Sequence, residues 1–441
     1  MVLVCTLGLA TVGHAQMGGG MGGGMGAGMG AAFGGATDPS MVPFRGGFQI
    51  IPSIAVAERY DSNVFFRPKA PGLQDRSDYV TTVVPQIRGL YDGSAMRVNA
   101  TVGAYAEYYA KNTNFNYVGM NAGLSLDLSP MLDRLWRGTT FTVGDVFRYT
   151  PQPPSFLVGN QEGDTSNPFL GGQQVGRVNS TSNVVNATVS APLTQTLSLI
   201  GGYSYGFLRF GTSEVPQAGA LLNSIYQTFT VGMSKALSPQ DSVSLNYFDS
   251  EYRYEQAGSF SSRGGIIGWT HLFSPNMTLD SSAGAAVLQG QSSGSGAQGS
   301  QGQSNISTTV TPRGRVALIW NDPTTSLTLA YGLALSPSYQ FQAQPLLVNI
   351  VTLSVTQVTP IPELVGVASV NYGRGDEIGS KSVNAVSYTS YAATGGVRYQ
   401  FTPQTFLNLM YLYGNFDNQF GATSNSFDRH VVSISFAQAF Y

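Results

Sequence analysis

Residues 325–336 read TSLTLAYGLALS. Leu327, Leu329, Tyr331, Leu333 and Leu335 alternate with Thr328, Ala330, Gly332 and Ala334. Successive side chains of a strand point to opposite faces, so this segment has one apolar face and one small or polar face. A helix would repeat its apolar positions with a period near 3.6, and these repeat with a period of two. The C-terminal stretch HVVSISFAQAFY, residues 430–441, does the same: Val432, Ile434 and Phe436 alternate with Ser433, Ser435 and Ala437. Leu407, Leu409, Tyr411 and Tyr413 give a less regular case, with Leu412 among the alternates.

Working outward from these segments, similar stretches recur from about Gly46 to Tyr441. Strands between lipid and water carry this signature, because their two faces meet different solvents. Short connections punctuate them: Asp92-Gly93-Ser94, Ser129-Pro130, Ala191-Pro192, Ser238-Pro239, Ser274-Pro275, Asp322-Pro323, Thr359-Pro360 and Thr402-Pro403. Proline presets a turn and cannot donate within a central strand. Longer polar connections alternate with them, at about 61–76, 110–116, 150–176, 211–224, 255–261, 290–304, 338–347, 373–382 and 415–426. The strands between number eighteen, with bounds of roughly 16–20 set by the weakness of boundary assignment. An even count and short turns opposite long loops predict an all-β fold: a closed antiparallel transmembrane β-barrel with short periplasmic turns and longer extracellular loops. Aromatic residues near strand ends, such as Tyr108, Tyr203, Tyr247 and Tyr391, suit the two bilayer interfaces.

Composition agrees. Charged residues are 10% of the 441-residue chain, against about 25% in an average soluble domain. Net charge is −2, which gives no reason to expect a nucleic-acid partner. No apolar run reaches the about 20 residues of a membrane helix. A membrane location therefore requires a closed barrel, because lipid tolerates no open sheet edge. A secreted soluble β-protein is the competing reading of the same spacing.

Three regions are expected. Residues 1–15 resemble the apolar part of a secretory signal, with Gly13-His14-Ala15 before Gln16 and no basic start. Residues 16–45 form a Met/Gly-rich disordered periplasmic segment, and residues 46–441 form the barrel. Thioethers of Met17, Met21, Met25 and Met29 suit Cu(I), but no Cys or further His accompanies them, so a flexible linker is the favoured reading. The single cysteine, Cys5, lies in the signal, which excludes disulfides and thiolate chemistry from the mature chain.

No catalytic constellation, metal spacing or nucleotide fingerprint is present, so no enzyme activity and no cofactor are expected. The histidines are His14, His271 and His430. Asp428 beside His430 is half of a proton-relay pair, with a solvated rim histidine favoured. Charges within strands are more informative. A cation facing lipid at midplane costs about 2–4 kcal/mol, so strand charges belong in the lumen or at a rim. Arg313 and Arg315 share the face opposite Val316, Leu318 and Trp320; Arg398 lies opposite Val397 and Tyr399. Arg97 lies on the side of Asn99, Thr101 and Glu107; Arg88 follows Gln86; Asp280 opposes Leu279. Together these seven residues predict a mixed-sign, mildly basic lumen that selects solutes, or equally a set of ion pairs bracing the wall. The longest loop, about 150–176, carries Phe156, Glu162 and Asp164 and would be a constriction element or an outer cap. Phe440 and Tyr441 close a strand in the manner of the signal read by the barrel assembly machinery.

Residues 56–66 read VAERYDSNVFF. Glu58, Tyr60, Asp61, Asn63, Val64 and Phe65, with the strands of residues 97–130, resemble the β-barrel porin 2 family over about residues 46–441. The resemblance implies an outer-membrane barrel of poorly defined substrate, some members being associated with exopolysaccharide systems. It supplies no catalytic residues.

The resulting expectation is an outer-membrane channel for passive diffusion of small hydrophilic solutes. An exopolysaccharide-export barrel and a non-conducting structural or adhesive barrel are the alternatives. Expected partners are outer-membrane lipid, the assembly machinery and small solutes or polysaccharide; an oligomer is compatible with all three readings.

Overall fold

The computed structural model describes residues 47–66, 68, 76–150, 178–213, 221–255, 258–291, 306–337, 345–378, 386–420 and 423–441. Eighteen strands follow in chain order: β1 (Gly47–Asp61), β2 (Asp78–Asp92), β3 (Arg97–Tyr109), β4 (Tyr117–Asp127), β5 (Thr140–Thr150), β6 (Val178–Pro192), β7 (Leu197–Ser213), β8 (Ser224–Ala236) and β9 (Asp241–Tyr254). The second half comprises β10 (Gly258–Ser274), β11 (Met277–Gln291), β12 (Ile306–Asn321), β13 (Thr325–Ser336), β14 (Leu346–Val358), β15 (Leu364–Glu377), β16 (Val386–Thr402), β17 (Thr405–Phe420) and β18 (Thr423–Ala439). Each strand pairs antiparallel with the next, and β1 pairs with β18 from Ser53↔Ala439 to Asp61↔Val431. The sheet therefore closes on itself.

The alternation read at residues 325–336 becomes the two faces of the wall. On β1, Ile51, Ala55, Ala57, Arg59 and Asp61 are buried inside, while Ile50, Ile54 and Val56 are exposed outside. Around the barrel the outer face is apolar, with Val102, Leu245, Ile267 and Val310 among its most exposed side chains. A continuous apolar exterior of this kind is an aggregation liability in water and a match to hydrocarbon. Aromatics border it: Tyr91, Phe273, Trp320 and Phe401 near the short turns, and Tyr79, Tyr108, Tyr205 and Tyr411 toward the long loops. Charged departures on this face include Asp145, whose Oδ1 accepts from Asn183 Nδ2 at 2.6 Å, and Glu58, whose Oε2 accepts from Thr81 Oγ1 at 2.6 Å.

The short connections are built by local side-chain caps. In the turn after β12, Asp322 accepts from the Thr324 and Thr325 amides at 2.8 Å each. Ser238 Oγ accepts from the Gln240 and Asp241 amides before β9. Ser129-Pro130 is not a tight turn. It opens a one-turn helix, α1 (Ser129–Leu132), in the link from β4 to β5. The link is tied down by Trp136 Nε1 donating to the Pro192 carbonyl at 2.9 Å and Arg134 donating to the Ser94 carbonyl at 2.7 Å.

Two expected loops are shorter than the sequence suggests. The segment 415–426 is largely strand, since β17 runs to Phe420 and β18 starts at Thr423. The connection expected over 255–261 shrinks because β10 begins at Gly258. Residues 1–15, the Met/Gly segment 16–45, and most of the loops at 150–176 and 290–304 lie outside the described residues.

Candidate functional site: the inner wall

Arg88 on β2, Arg313 and Arg315 on β12, Asp280 on β11 and Arg398 on β16 all take inward positions, as their alternation predicts. Each arginine is held in place. Arg88 Nε donates to Asn99 Oδ1 at 3.0 Å. Arg398 Nε donates to Asn408 Oδ1 at 3.2 Å, with its guanidinium 4.5 Å above the Phe406 ring. Arg313 Nη2 donates to Ser262 Oγ at 3.0 Å, with its guanidinium 4.4 Å above the Phe248 ring. Arg315 faces Asp280 at 3.4 Å across the β11–β12 pair. Stacking and hydrogen bonds fix the planes of these groups.

Glu107 and Arg97 are placed differently. Glu107 is 1% exposed and accepts from Arg59 Nη1 and Nη2, at 2.7 and 3.0 Å, as well as from the Tyr109 hydroxyl at 2.7 Å. A carboxylate so enclosed presents no surface to a passing solute. Arg97 has lumen parity but opens β3 beside the short turn, 62% exposed, and bridges Asp92 and Asp127. It is a rim residue.

The structure brings together a cluster whose residues Asp61, Asn63, Val64 and Phe65 the sequence marked only by family resemblance, without their partners. Asp61, at the end of β1, receives Arg429 Nε at 3.0 and 3.2 Å across the β1–β18 seam. Both are nearly inaccessible. The chain then turns inward. Asn63 donates to Asp61 Oδ1 and to the Asp428 carbonyl, and Ser62 exchanges hydrogen bonds with His430. Phe66 has φ = 53°, an unfavourable conformation for a residue with a Cβ, and its ring lies 4.4 Å from the Arg429 guanidinium. Val64, Phe65 and Phe66 are buried against the inner wall. Arg59 and Asp61 do share inward parity within VAERYDSNVFF, so the signal was present, but their partners lie 48 and 368 residues away.

The inner wall is not uniformly polar. Toward the long loops, Leu208, Tyr226, Tyr252, Tyr254, Phe260 and Leu288 form one apolar cluster. Phe66, Leu346, Val348, Tyr388, Phe416 and Phe427 form another. Buried polar inward residues occur at both ends of the wall, among them Ser224, Ser262 and Ser336 toward the long loops and Asn408 and Ser435 toward the turns.

Both later histidines are on the outer face. His271 Nδ1 lies 2.8 Å from Asp241, which also accepts from Trp269 Nε1 at 3.1 Å. His430 is 3.6 Å from Asp428 and 2.9 Å from the Tyr411 hydroxyl. The Asp428–His430 pair therefore faces away from the lumen. Among the described residues no group of three potential metal ligands occurs. Phe440 is outward and hydrogen-bonded through its amide to the Pro52 carbonyl, and Tyr441 contacts Gln404 and Pro403. Phe156, Glu162 and Asp164 lie outside the described residues.

A closed eighteen-stranded barrel, greasy outside and arginine-bearing inside, belongs to the class of membrane-spanning β-barrels. No family model matches the chain, and no curated protein matches it. Solved structures similar to it include the Pseudomonas aeruginosa protein OccK2 (OpdF), at 10% identity and TM-score 0.45, covering 89% of this chain and 99% of that one. OccK9 (OpdG) follows at 12% identity and TM-score 0.44, with 89% and 99% covered. OprD stands at 10% identity and TM-score 0.43, with 91% and 98% covered.

Proposed function

We propose that the chain is an outer-membrane channel for passive diffusion of small hydrophilic solutes. The observation that carries this reading is the division of the wall: apolar outward positions around a closed cylinder, and oriented arginines on the inward ones. A bilayer matches the exterior, and the Gram-negative-type outer membrane is where closed barrels of this kind reside. The short turns then face the periplasm. The likeness of Glu58, Tyr60, Asp61, Asn63, Val64 and Phe65 to the β-barrel porin 2 family supports the same reading and the same family assignment.

Arg88, Arg313, Arg315 and Arg398, with Asp280, are the residues assigned to selection. Four inward guanidiniums against one carboxylate in this group favour anionic over cationic solutes of equal size. Glu107 and Arg97 are left out of the selecting set because the first is enclosed and the second sits at the rim. Exclusion by size comes from the wall and from the inward start of the first long loop, residues Ser62–Phe66.

Planar-bilayer recording of the purified barrel tests the proposal. In a potassium chloride gradient the reversal potential should show chloride preference, and R313Q/R315Q/R398Q should move it toward zero. A silent, sealed barrel would support the structural or adhesive reading. Current blocked from one side by polysaccharide, without anion preference, would support the export reading.

A further inference from the structure

On β8 to β12, just beyond the loop-side aromatics, the outward positions change from apolar to polar within one or two steps. Phe229 gives way to Gln227, Tyr247 to Asp249 and Glu251, Val287 to Gln289, and Val310 to Thr308; β10 presents Arg263, Ser261 and Ser259. A cleft of about 780 Å³ lies here on the exterior, edged by the rings of Tyr203, Phe229 and Tyr247. Its polar groups are already arranged. Arg263 Nε donates to Asp249 Oδ2 at 3.0 Å, Gln227 Nε2 to Glu251 Oε2 at 2.6 Å, and Arg253 Nη2 to Glu251 Oε1 at 3.1 Å.

We propose that this cleft binds the sugar headgroup of a membrane glycolipid whose acyl chains lie along the apolar band below. Three features select that occupant. Aromatic rings beside planar donors and acceptors suit a sugar, whose C–H faces stack on rings and whose adjacent hydroxyls donate to carboxylates and accept from amides and guanidiniums. The charges are mixed, with Asp249 and Glu251 beside Arg263 in the lining and Arg253 paired to Glu251 from outside it; the carboxylates oppose a bare phosphate, the guanidiniums oppose a cation, and a neutral polyol meets neither penalty. The height of the cleft, directly above an aromatic border, is that of a lipid headgroup, and the apolar band beneath it supplies the contact that a soluble sugar would leave unused. The inference rests on the membrane placement of the barrel and is independent of whether it conducts.

Native mass spectrometry of the full chain released from micelles reads the bound lipid. The probes are diglucosyl diacylglycerol, chain-matched phosphatidylethanolamine and phosphatidylglycerol, and free maltose. The diglucosyl lipid should be retained about tenfold over either phospholipid, the scale of one or two well-placed hydrogen bonds to charged groups. E251A and R263A should each abolish most of that preference, whereas Y411A, on a strand outside the cleft, should leave it intact. Equal retention of all three lipids would overturn the proposal, as would a preference unchanged in both cleft variants. Preference for phosphatidylglycerol would replace the sugar with an anionic headgroup, and maltose bound as tightly as the glycolipid would remove the membrane source. A barrel that retains the glycolipid yet passes no current would sink the channel reading alone.

Discussion

Arg429 and Asp61 show what a single inward pair does for a closed wall. A buried ion pair has to recover the desolvation of both ions, and its net contribution is small; breaking it is the costly event, because one charge is left behind. Here the pair joins the first strand to the last, and Arg429 also carries Phe66. R429M should therefore lower the urea-unfolding free energy in vesicles by about 3 kcal/mol, and R429M/D61N should recover part of that loss. Additive losses in the double variant would show that the two residues do not act as a pair. Asp322 makes the complementary case in a solvent-exposed turn. Hydrogen bonds from the Thr324 amide, the Thr324 hydroxyl and the Thr325 amide hold its carboxyl below the ordinary value of 3.8. A depressed folded value means that the cap stabilises the turn above that ordinary value and is lost as pH falls through the lower folded value. An NMR titration should place the Asp322 midpoint below that of an unstructured peptide; a midpoint at or above it would refute the capping role. Parity alone told that Arg313 and Arg315 point inward. Their partners, Ser262 and Asp280, could not be read, because they depend on the register of other strands.

Among the elements, β17 and β18 depart most from the sequence reading. The run from Asn415 to Ser426 contains Asn, Asp, Gly and Ser, residues depleted in strands, and it reads as a loop. In the barrel it pairs down to Phe420↔Thr423. Inside a closed sheet, backbone pairing and the inward side chains outweigh local propensity. The inward side chains are Phe416 and Phe427, with ring centroids 5.4 Å apart, and Tyr388 stacks on Phe416 at 5.9 Å. F416A should cost about 3 kcal/mol in urea unfolding, as expected for a packed aromatic. A loss below about 0.5 kcal/mol, the usual scale for a loose surface site, would restore the loop reading. The opposite end of these strands was legible because Pro403 and the alternation of residues 430–441 agree with each other. The inward turn at Ser62–Phe66 was not legible for another reason: it is short and depends on Asp61 meeting Arg429 of β18.

For the whole molecule, the decisive question is which solvent each face meets. A soluble β-sandwich and a membrane barrel share a two-residue period, so the sequence pattern alone leaves the assignment of faces open. Closure resolves it: the inward set includes Arg88, Arg313, Arg315 and Arg398, and the outward set is apolar between aromatic borders. Two adjacent positions in the middle of β14 turn this into a measurement. Val351 points outward and is 38% exposed, while Thr352 points inward and pairs with Ala330 and Asn371. Arginine at the outer position has to leave water for hydrocarbon, at a cost of about 2–4 kcal/mol near the midplane. Arginine at the inner one extends along a wall that already holds guanidiniums. In lipid vesicles V351R should lower the unfolding free energy by that amount and T352R by under about 1 kcal/mol. In a water-soluble barrel the difference would vanish, since an exposed Val351 would accept a charge as freely as the half-buried Thr352 does. Equal losses at the two positions would mean that the faces do not differ in solvent, and neither the channel nor the lipid cleft could stand on this wall.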